Sequence, residues 1–205
     1  MSVPRNVVLL GATGSIGESA LRILRAHPDK LRLVGASAHR NADALLAVAK
    51  EFGLKRICLT DDAARTEAAD NLPDGMELLG GEEGLNELAA TEQADVVLVA
   101  VVGTVGLSPT LAALRSGKDV ALANKESLVM SGSILTRLAR DKGLRILPVD
   151  SEHSAIFQSL QGSSREEVER IILTASGGPF RQTSAEDLKN VTRQDALNHP
   201  TWEMG

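Results

Sequence analysis

A run of seven apolar residues, Val96–Val102, constrains the fold of this chain more strongly than any other feature. Five of the seven are Val, and no polar residue alternates with them, so both faces of the strand that they predict must be covered. Such strands are typical of the middle of a parallel sheet with helices on both sides. Short apolar runs also alternate with stretches of helical periodicity as far as Val149. The pattern predicts an α/β fold, namely a Rossmann-like doubly wound parallel sheet.

The pattern changes after Val149, where a polar segment begins. We therefore predict a first domain over residues 1–149 and a second unit over residues 150–205. In the second unit, Ala155–Leu160 is expected to be helical and Val168–Thr174 is expected to be a strand. A unit of about 55 residues is small for an independent core. We expect it to be the incomplete start of an α+β domain.

Composition excludes several classes of function. The 205 residues carry a net charge of −5, and only 2% of them are aromatic, which argues against a nucleic-acid groove lined with stacking side chains. The single cysteine, Cys58, rules out an internal disulfide, and its apolar neighbours predict a small buried side chain. Neither a signal-peptide pattern nor an apolar run of about 18 residues is found. We expect a cytoplasmic protein with no membrane or nucleic-acid partner.

A glycine-rich turn follows the first predicted strand. Gly11, Gly14 and Gly17 are spaced G-x-x-G-x-x-G and precede a stretch of helical periodicity that ends near His27. At such a turn glycines let the backbone approach a pyrophosphate, and the helix N-terminus supplies free N–H groups. The turn predicts a dinucleotide site. The alternative is a tight turn that only packs the helix against the sheet.

The residues after the second predicted strand bear on the choice of cofactor. No acid occurs there before Asp43, whereas NAD sites usually place Asp or Glu at this point to bind the ribose 2′-hydroxyl. Arg40, together with Ser37, His39 or Asn41, would attract a 2′-phosphate. The segment therefore favours NADP over NAD. The alternative is a solvated loop with loose specificity.

Two further polar segments follow predicted strands, at the edge where ligands bind in such sheets. Lys125 could bind an oxyanion or orient a cofactor, or it could be a surface residue of a helix cap. Asp150 and Glu152 could both face a hard cation such as Mg²⁺ or Mn²⁺, or they could be a helix N-cap and its capping acid. Softer metals lack ligands, because there is one Cys and the four His are scattered.

Two segments near the C-terminal end could contact a substrate. Ser176 lies in the glycine-containing turn Ala175–Phe180, which suits a phosphate grip but could be an ordinary loop. Trp202 stands beside His199 and Met204 in a proline-containing segment. It could belong to a lid over a substrate, or it could fill a core.

Five of these segments together closely resemble the 1-deoxy-D-xylulose 5-phosphate reductoisomerase family of the non-mevalonate isoprenoid pathway. They are Gly11–Gly17, Leu122–Val129, Leu147–Gln158, Ala175–Arg181 and His199–Gly205. The resemblance runs through the whole chain in order. It implies an NADP-dependent oxidoreductase and isomerase that uses NADPH and a divalent metal. Such an enzyme rearranges and reduces 1-deoxy-D-xylulose 5-phosphate, a sugar phosphate, to 2-C-methyl-D-erythritol 4-phosphate, and the full-length protein is expected to be a homodimer.

The resemblance also implies roles for individual residues. The implied cofactor contacts are Thr13, Gly14, Ser15 and Ile16 in the phosphate loop, His39, Arg40 and Asn41 at the 2′-phosphate, and Asn124, Glu126 and Gly205 elsewhere. The implied metal ligands are Asp150 and Glu152, with Mg²⁺, Mn²⁺ or Co²⁺ as the ion. The implied catalytic and substrate contacts are Lys125, Asp150, Ser151, Glu152, Ser176 and His199, with Trp202 in a mobile flap.

This chain departs from the family at its end. Members of the family are much longer, and beyond the position of Gly205 they carry a third acidic metal ligand and further phosphate contacts. We therefore expect residues 1–205 to be an N-terminal portion that is inactive by itself. Two alternatives stay open, a cofactor-binding module without turnover and a simple NADP-dependent aldehyde or semialdehyde dehydrogenase. The early position of Cys58 counts against the second, because its acylating form needs a nucleophilic Cys at the site.

Overall fold

The computed structural model describes residues 3–173 and 178–200. Strands and helices alternate along it as far as Ser159. The strands are β1 (Arg5–Leu10), β2 (Leu31–Ala38), β3 (Arg56–Leu59), β4 (Glu77–Gly80), β5 (Val96–Val99), β6 (Asp119–Leu122) and β7 (Ile146–Pro148). The α-helices are α1 (Ser15–Ala26), α2 (Ala42–Phe52), α3 (Asp62–Ala69), α4 (Gly81–Ala89), α5 (Leu107–Arg115), α6 (Lys125–Asp141), α7 (Ser151–Ser159) and α8 (Arg193–Leu197).

The seven strands form one parallel sheet in the order β4-β3-β2-β1-β5-β6-β7. The chain starts in the middle of the sheet at β1, builds outward to β4, and then returns to the other side of β1 with β5. The order therefore reverses between β1 and β5, and at such a point the loops after the two strands separate and leave a crevice. The predicted Rossmann-like doubly wound fold is confirmed.

The core lies on both faces of the sheet because its central strands contain consecutive apolar residues, such as Val7–Leu10 of β1 and Val96–Val99 of β5. Along β1, Val8 and Leu10 belong to one cluster of buried side chains, and Val7 and Leu9 belong to another. The first cluster contains residues of α4, α5 and α6, and the second contains residues of α1, α2 and α3. Successive strand residues point to opposite faces of the sheet. Helices α1, α2 and α3 therefore cover one face, and α4, α5 and α6 cover the other.

At the amino ends of the strands, opposite the crevice, an ion-pair cluster joins three segments. The Asp119 carboxylate, at the start of β6, accepts hydrogen bonds from Arg5 of β1 at 2.8 Å and from the Arg145 side chain at 2.6 Å. Only 11% of the Asp119 side chain is exposed. Burial opposes ionisation of this carboxyl, but the hydrogen bonds from Arg145 and Arg5 outweigh it and hold its pKa below the usual value.

Two predicted elements differ in extent from the observed ones. The strand expected over Val96–Val102 ends at Val99, and the chain then leaves the sheet and forms a 3₁₀ helix at Gly103–Gly106. The sequence pattern predicts a helix over residues 133–141, but helix α6 begins at Lys125 and contains a non-helical residue, Ser131. The first difference arises because the apolar residues after β5 line the crevice instead of continuing the sheet.

The chain forms two compact units, Met1–Gln161 and Gly162–Gly205. The first therefore includes α7, although we predicted a domain boundary at residues 149–150, and that boundary stays a prediction. In the second unit, the strand predicted over Val168–Thr174 is wrong for the described residues 168–173, which form no strand. Ile171, Ile172 and Leu173 are exposed, because no strand among the described residues supplies hydrogen bonds to them or covers them.

Candidate functional site

A cavity of about 390 Å³ lies at the carboxyl ends of β1, β2 and β5, where the strand order reverses. Open α/β sheets bind ligands in this place. Its lining residues come from the glycine-rich loop after β1, from the end of β2, and from the segments after β2, β3 and β5. They are Gly11, Thr13, Gly14, Ser37, Ala38, His39, Thr60, Ala100, Val101, Val102 and Val105.

The glycine-rich loop is held against β2 and leads directly into α1. The backbone N–H of Gly11 donates to the Ser37 carbonyl at 3.2 Å and to Ser37 Oγ at 3.1 Å, and Ala12 N–H donates to the same carbonyl at 2.7 Å. Helix α1 begins at Ser15, and the N-cap residue Gly14 has no side chain to cap it. The first N–H groups of a helix have no partner within it, so those of α1 are available to an anion.

The three glycines of the loop are required for different reasons. A Cβ on Gly11 would lie 2.8 Å from the Ala100 carbonyl oxygen, and its φ is +88°. A Cβ on Gly17 would lie 2.2 Å from the Gly11 carbonyl oxygen. Close packing therefore explains why positions 11 and 17 are glycine, and at Gly11 the positive φ is a second reason. At Gly14 the nearest atom would be 3.6 Å away and φ is −89°, so neither packing nor the backbone requires glycine. This open position is what a phosphate group lying against the loop would need.

The predicted 2′-phosphate residues lie beside an acid that the sequence analysis missed. Arg40 Nε donates to Asp61 Oδ2 at 2.8 Å, and His39 Nδ1 lies 2.9 Å from Thr60 Oγ1. Asp61 also accepts from the N–H of Ala64, and this bond, together with the Arg40 contact, lowers its pKa. Thr60 and Asp61 directly follow β3, the neighbour of β2. The carboxyl ends of parallel strands lie side by side, so a residue that follows β3 can be expected to lie near one that follows β2. This rule could have pointed to Thr60 and Asp61.

Two other residues, one at the end of β2 and one after it, support the structure around them. Ser37 is only 1% exposed, and its hydroxyl oxygen accepts the bond from Gly11. It therefore supports the phosphate loop, whereas the sequence had grouped it with the residues that attract a 2′-phosphate. Asn41 caps α2, because its side-chain oxygen accepts from Ala44 N–H at 3.1 Å.

Helix α6 begins at the edge of the crevice with Asn124, Lys125 and Glu126. The Asn124 side chain is 2% exposed and caps the helix by accepting from Ser127 N–H at 3.0 Å. Lys125 is the first helical residue, and its ammonium contacts Asp150 Oδ2 at 2.7 Å. The bond to Asp150 is the main reason why the pKa of Lys125 is raised, and the charges of Glu152 and Glu126 add to it.

Asp150 occupies the N-cap position of α7, but its side chain does not cap that helix. Its other oxygen, Oδ1, lies 3.0 Å from Nδ1 of His153, which the sequence analysis did not select. The hydrogen bonds from Lys125 and His153 lower the pKa of Asp150 and favour its ionised form. The capping alternative for Asp150 is therefore not what the structure shows. His153 could have been found from its spacing, since it lies three residues further along the same helix.

The carboxylates of Asp150 and Glu152 supply part of what a hard cation needs. Glu152 is exposed, and Ser151 Oγ donates to its Oε2 at 2.7 Å. Oxygen donors suit Mg²⁺ and Mn²⁺, so the chemistry of the pair fits, but about six ligands are needed. Within residues 3–173 and 178–200, no three His, Cys, Asp or Glu side chains are grouped closely enough to hold a metal ion. The remaining ligands would have to come from substrate, from water or from other residues.

The other predicted site residues lie in the second unit. His199 follows α8 and is partly buried. Ser176, Trp202 and Gly205 lie outside the described residues. The predictions for these four therefore stay predictions. Among the residues that the structure does describe, no helix is long and apolar enough to cross a membrane.

Two family models match the chain. The model described as 1-deoxy-D-xylulose 5-phosphate reductoisomerase matches residues 7–132, which contain the crevice loops and the start of α6. The model described as the C-terminal domain of the same reductoisomerase matches residues 146–205. The second match begins at β7, before the predicted boundary at residues 149–150.

Curated relatives carry the same description. The chain is 47% identical over 204 residues to the 1-deoxy-D-xylulose 5-phosphate reductoisomerase of Clostridium perfringens strain 13, covering 98% of this chain and 53% of that protein. It is 49% identical over 199 residues to the reductoisomerase of Geobacillus sp. strain WCH70, covering 97% and 52%. The chain thus spans about half the length of the curated relatives it matches.

Solved structures agree with these matches. A reductoisomerase from Zymomonas mobilis in complex with NADPH is 43% identical, with a TM-score of 0.87, and the match covers 96% of this chain and 52% of that one. A DOX-P reductoisomerase in complex with NADPH, fosmidomycin and magnesium is 40% identical, with a TM-score of 0.83, and the match covers 98% and 52%.

Proposed function

The chain belongs to the 1-deoxy-D-xylulose 5-phosphate reductoisomerase family, and from this premise we propose that a protein containing it converts 1-deoxy-D-xylulose 5-phosphate to 2-C-methyl-D-erythritol 4-phosphate. The reaction would rearrange the carbon skeleton to an aldehyde and then reduce that aldehyde with a hydride from NADPH, with the help of a divalent cation. One observation on this chain carries the proposal, namely the open Gly14 at an uncapped helix N-terminus that faces the crevice.

The phosphate loop and Arg40 support NADPH as the cofactor. In this proposal Thr13, Gly14, Ser15 and Ile16 hold the pyrophosphate through backbone N–H groups and the positive end of the α1 dipole. Arg40 binds the 2′-phosphate. Its contact with Asp61 uses Nε alone and leaves the terminal nitrogens of the guanidinium for a phosphate. His39 and Asn41 lie beside it as further polar contacts, and the bound NADPH supplies the hydride.

The pair Asp150 and Glu152 would hold Mg²⁺, Mn²⁺ or Co²⁺, which when bound polarises the substrate ketone and acidifies a hydroxyl group. Asp150 is kept ionised by Lys125 and His153, and the ionised form is the one that binds a cation. Lys125 is kept protonated by Asp150, so it can hold an anionic oxygen of the substrate. Ser151 would contact the same substrate, together with Ser176 and His199 of the second unit. We assign Trp202 to a flap over the substrate, and Glu126 and Gly205 to the cofactor.

The domain organisation follows from these roles. We propose that residues 1–149 are the NADPH-binding domain and that residues 150–205 begin the catalytic domain. We propose further that the full-length protein is a cytoplasmic homodimer. The net charge of −5 and the scarcity of aromatic residues favour a small sugar phosphate over nucleic acid as the partner.

For residues 1–205 alone, a second candidate function is NADPH binding without turnover. The observation that favours it is the pair of carboxylates, since two protein ligands hold an ion weakly. An acylating semialdehyde dehydrogenase is disfavoured by Cys58. This thiol is fully buried, and burial raises its pKa to about 12, so it cannot serve as a nucleophile.

The metal assignment is tested by substitution in a full-length protein that contains this segment. We expect Asp150→Asn to abolish the oxidation of NADPH that depends on 1-deoxy-D-xylulose 5-phosphate and Mg²⁺, because the cation loses a charged ligand. NADPH affinity should stay nearly unchanged, because Asp150 does not line the cofactor cavity. Glu152→Gln should act in the same way. If metal-dependent turnover survived in both variants, the assignment would be wrong.

A further inference from the structure

The side-chain amide of Asn124 has no hydrogen-bonding capacity left for a ligand. Its two N–H groups donate to the carbonyl oxygens of Val101 at 2.9 Å and Gly103 at 2.8 Å. Its oxygen accepts from the N–H of Ser127 at 3.0 Å and from Ser127 Oγ at 2.5 Å. An amide offers two donors and accepts two hydrogen bonds, so every position is used. Any cofactor contact of Asn124 must therefore involve its backbone or van der Waals packing.

These four bonds connect two parts of the molecule that have different tasks. Val101 and Gly103 belong to the segment Ala100–Gly106, which leaves β5 early and lines the cavity with Ala100, Val101, Val102 and Val105. Ser127 belongs to the first turn of α6, which also carries Lys125 and its contact with Asp150. One buried amide thus joins the wall of the proposed NADPH cavity to the helix that begins the proposed substrate site.

The wall segment is anchored near its ends, where Val101 packs against a buried core cluster and the Gly106 carbonyl accepts from Thr110 Oγ1 at 2.6 Å, but two residues between them are exposed. Val102 is 86% exposed and Val105 is 46% exposed, although both are apolar. Neither residue is therefore held in place by burial in a core. Hydrogen bonds from Asn124 to the carbonyls at 101 and 103 supply the restraint that burial does not.

Gly106 makes room for this amide. A Cβ on Gly106 would lie 2.4 Å from Cγ of Asn124, 2.6 Å from its Oδ1 and 2.8 Å from its Nδ2. The φ of Gly106 is −72°, which any residue adopts, so the backbone conformation does not require glycine here. The close approach of the Asn124 amide does.

We propose that Asn124 is a positioning residue that holds the Ala100–Gly106 wall in the shape that binds NADPH, and that Gly106 is kept small to admit it. This inference rests on the proposed function, because it takes the cavity to be the NADPH site. Without the restraint the wall samples other conformations. If the binding shape then exists in about one tenth of the molecules, the apparent Kd for NADPH rises about tenfold.

Two variants disrupt the contact between Asn124 and the wall in different ways. Asn124→Asp keeps an oxygen for Ser127 N–H but loses both donors to the wall. Gly106→Ala keeps every donor and acceptor but forces the amide away by steric overlap. The matched control is Gly132→Ala, the same substitution in α6. A Cβ at this position would lie 4.0 Å from the nearest atoms, which belong to Leu128, so it causes no overlap. All three are compared with the unmodified chain of residues 1–205.

The measurement is titration with NADPH and with NADH well below the unfolding temperature, together with hydrogen–deuterium exchange of Ala100–Gly106. We expect both variants to raise the Kd for each cofactor about tenfold or more. The NADPH-to-NADH ratio should be unchanged, because Arg40 is not touched. Exchange of the wall amides should become faster, and Gly132→Ala should match the unmodified chain. A merely structural role would lower the unfolding temperature without these changes.

The outcomes separate this inference from the proposed function. If the unmodified chain binds NADPH and both variants bind it equally well, the positioning role is refuted and the proposed function stands. If the unmodified chain does not bind NADPH, the proposed cofactor site fails and the inference falls with it. Should Asn124→Asp fail to fold, Gly106→Ala decides alone, since it retains all hydrogen-bonding groups.

Discussion

The two compact units of this chain use their apolar side chains differently. In Met1–Gln161, the run Val96–Val99 lies between two paired strands and is covered by helices, so three of its four residues are buried. In Gly162–Gly205, the run Ile171–Leu173 is 58–74% exposed, and no described residue of that unit is buried. Similar local sequence thus gives a strand in one unit and none in the described part of the other. A strand forms where neighbouring strands satisfy its backbone and its side chains are covered.

The largest expected effect contrasts a core residue with an exposed one. Leu88 of α4 is fully buried, and Ile172 is 74% exposed. We expect Leu88→Ala to lower the free energy of unfolding by about 3 kcal/mol, because it leaves a cavity. Ile172→Ala should change it by less than about 0.5 kcal/mol. Urea denaturation of both variants measures this, and similar losses in the two would break the contrast between the units.

A second prediction separates, within the first unit, residues that hold the fold from residues that hold the ligand. Gly17→Ser should lower the free energy of unfolding by about 1–3 kcal/mol, because its Cβ would overlap the Gly11 carbonyl. Gly14→Ser should keep or slightly raise stability, because Ser is a good N-cap residue. It should nevertheless weaken NADPH binding about tenfold or more, since the new hydroxyl occupies the N–H groups that bind phosphate. Undiminished NADPH binding by Gly14→Ser would argue against the phosphate loop.

A smaller effect is expected at the ion-pair cluster of the first unit. Asp119→Asn should lower the free energy of unfolding by about 1–2 kcal/mol near neutral pH, because Arg5 and Arg145 lose a charged acceptor. The pKa of Asp119 is depressed in the folded state. Its stabilisation is therefore complete above the unfolded pKa of about 4 and is lost as pH falls below that value through the folded pKa.

Denaturation curves from neutral to acidic pH test this sign. The difference between the unmodified chain and Asp119→Asn should shrink as the pH falls below about 4. Asp74→Asn is the matched control in the same unit, where Asp74 is exposed. A difference at Asp119 that grew with acidity would contradict the assigned cause.

Most of the fold could be predicted because burial leaves a periodic trace in the sequence. The strands β1 to β7 and their helices follow runs such as Asn6–Leu10 and Val96–Val99, where both faces are covered. The end of β5 could not be predicted, since Ala100–Val102 is as apolar as the strand before it. In the structure the segment after β5 lines the crevice, and the Val101 carbonyl there accepts from the Asn124 amide, 23 residues away in sequence.

The candidate site was predictable where its residues follow strands, and not where they meet across the sheet. Lys125 and Asp150 were selected separately, but the sequence did not show that they form an ion pair at 2.7 Å. Asp61 was missed beside Arg40 for the same reason, because it follows β3 and not β2. Long-range contacts of this kind depend on strand order, which sequence periodicity does not specify.

The central claim is that the crevice between β1 and β5 binds NADPH through the phosphate loop and Arg40. Calorimetric titration of residues 1–205 with NADPH and with NADH, repeated on Arg40→Asp, tests it most directly. We predict that the unmodified chain binds NADPH more tightly than NADH. Arg40→Asp should cost about 2–3 kcal/mol of NADPH binding, because a charge-assisted phosphate contact is replaced by repulsion, and it should affect NADH much less. Equal affinities of the unmodified chain for the two cofactors, or no binding of either, would contradict the claim.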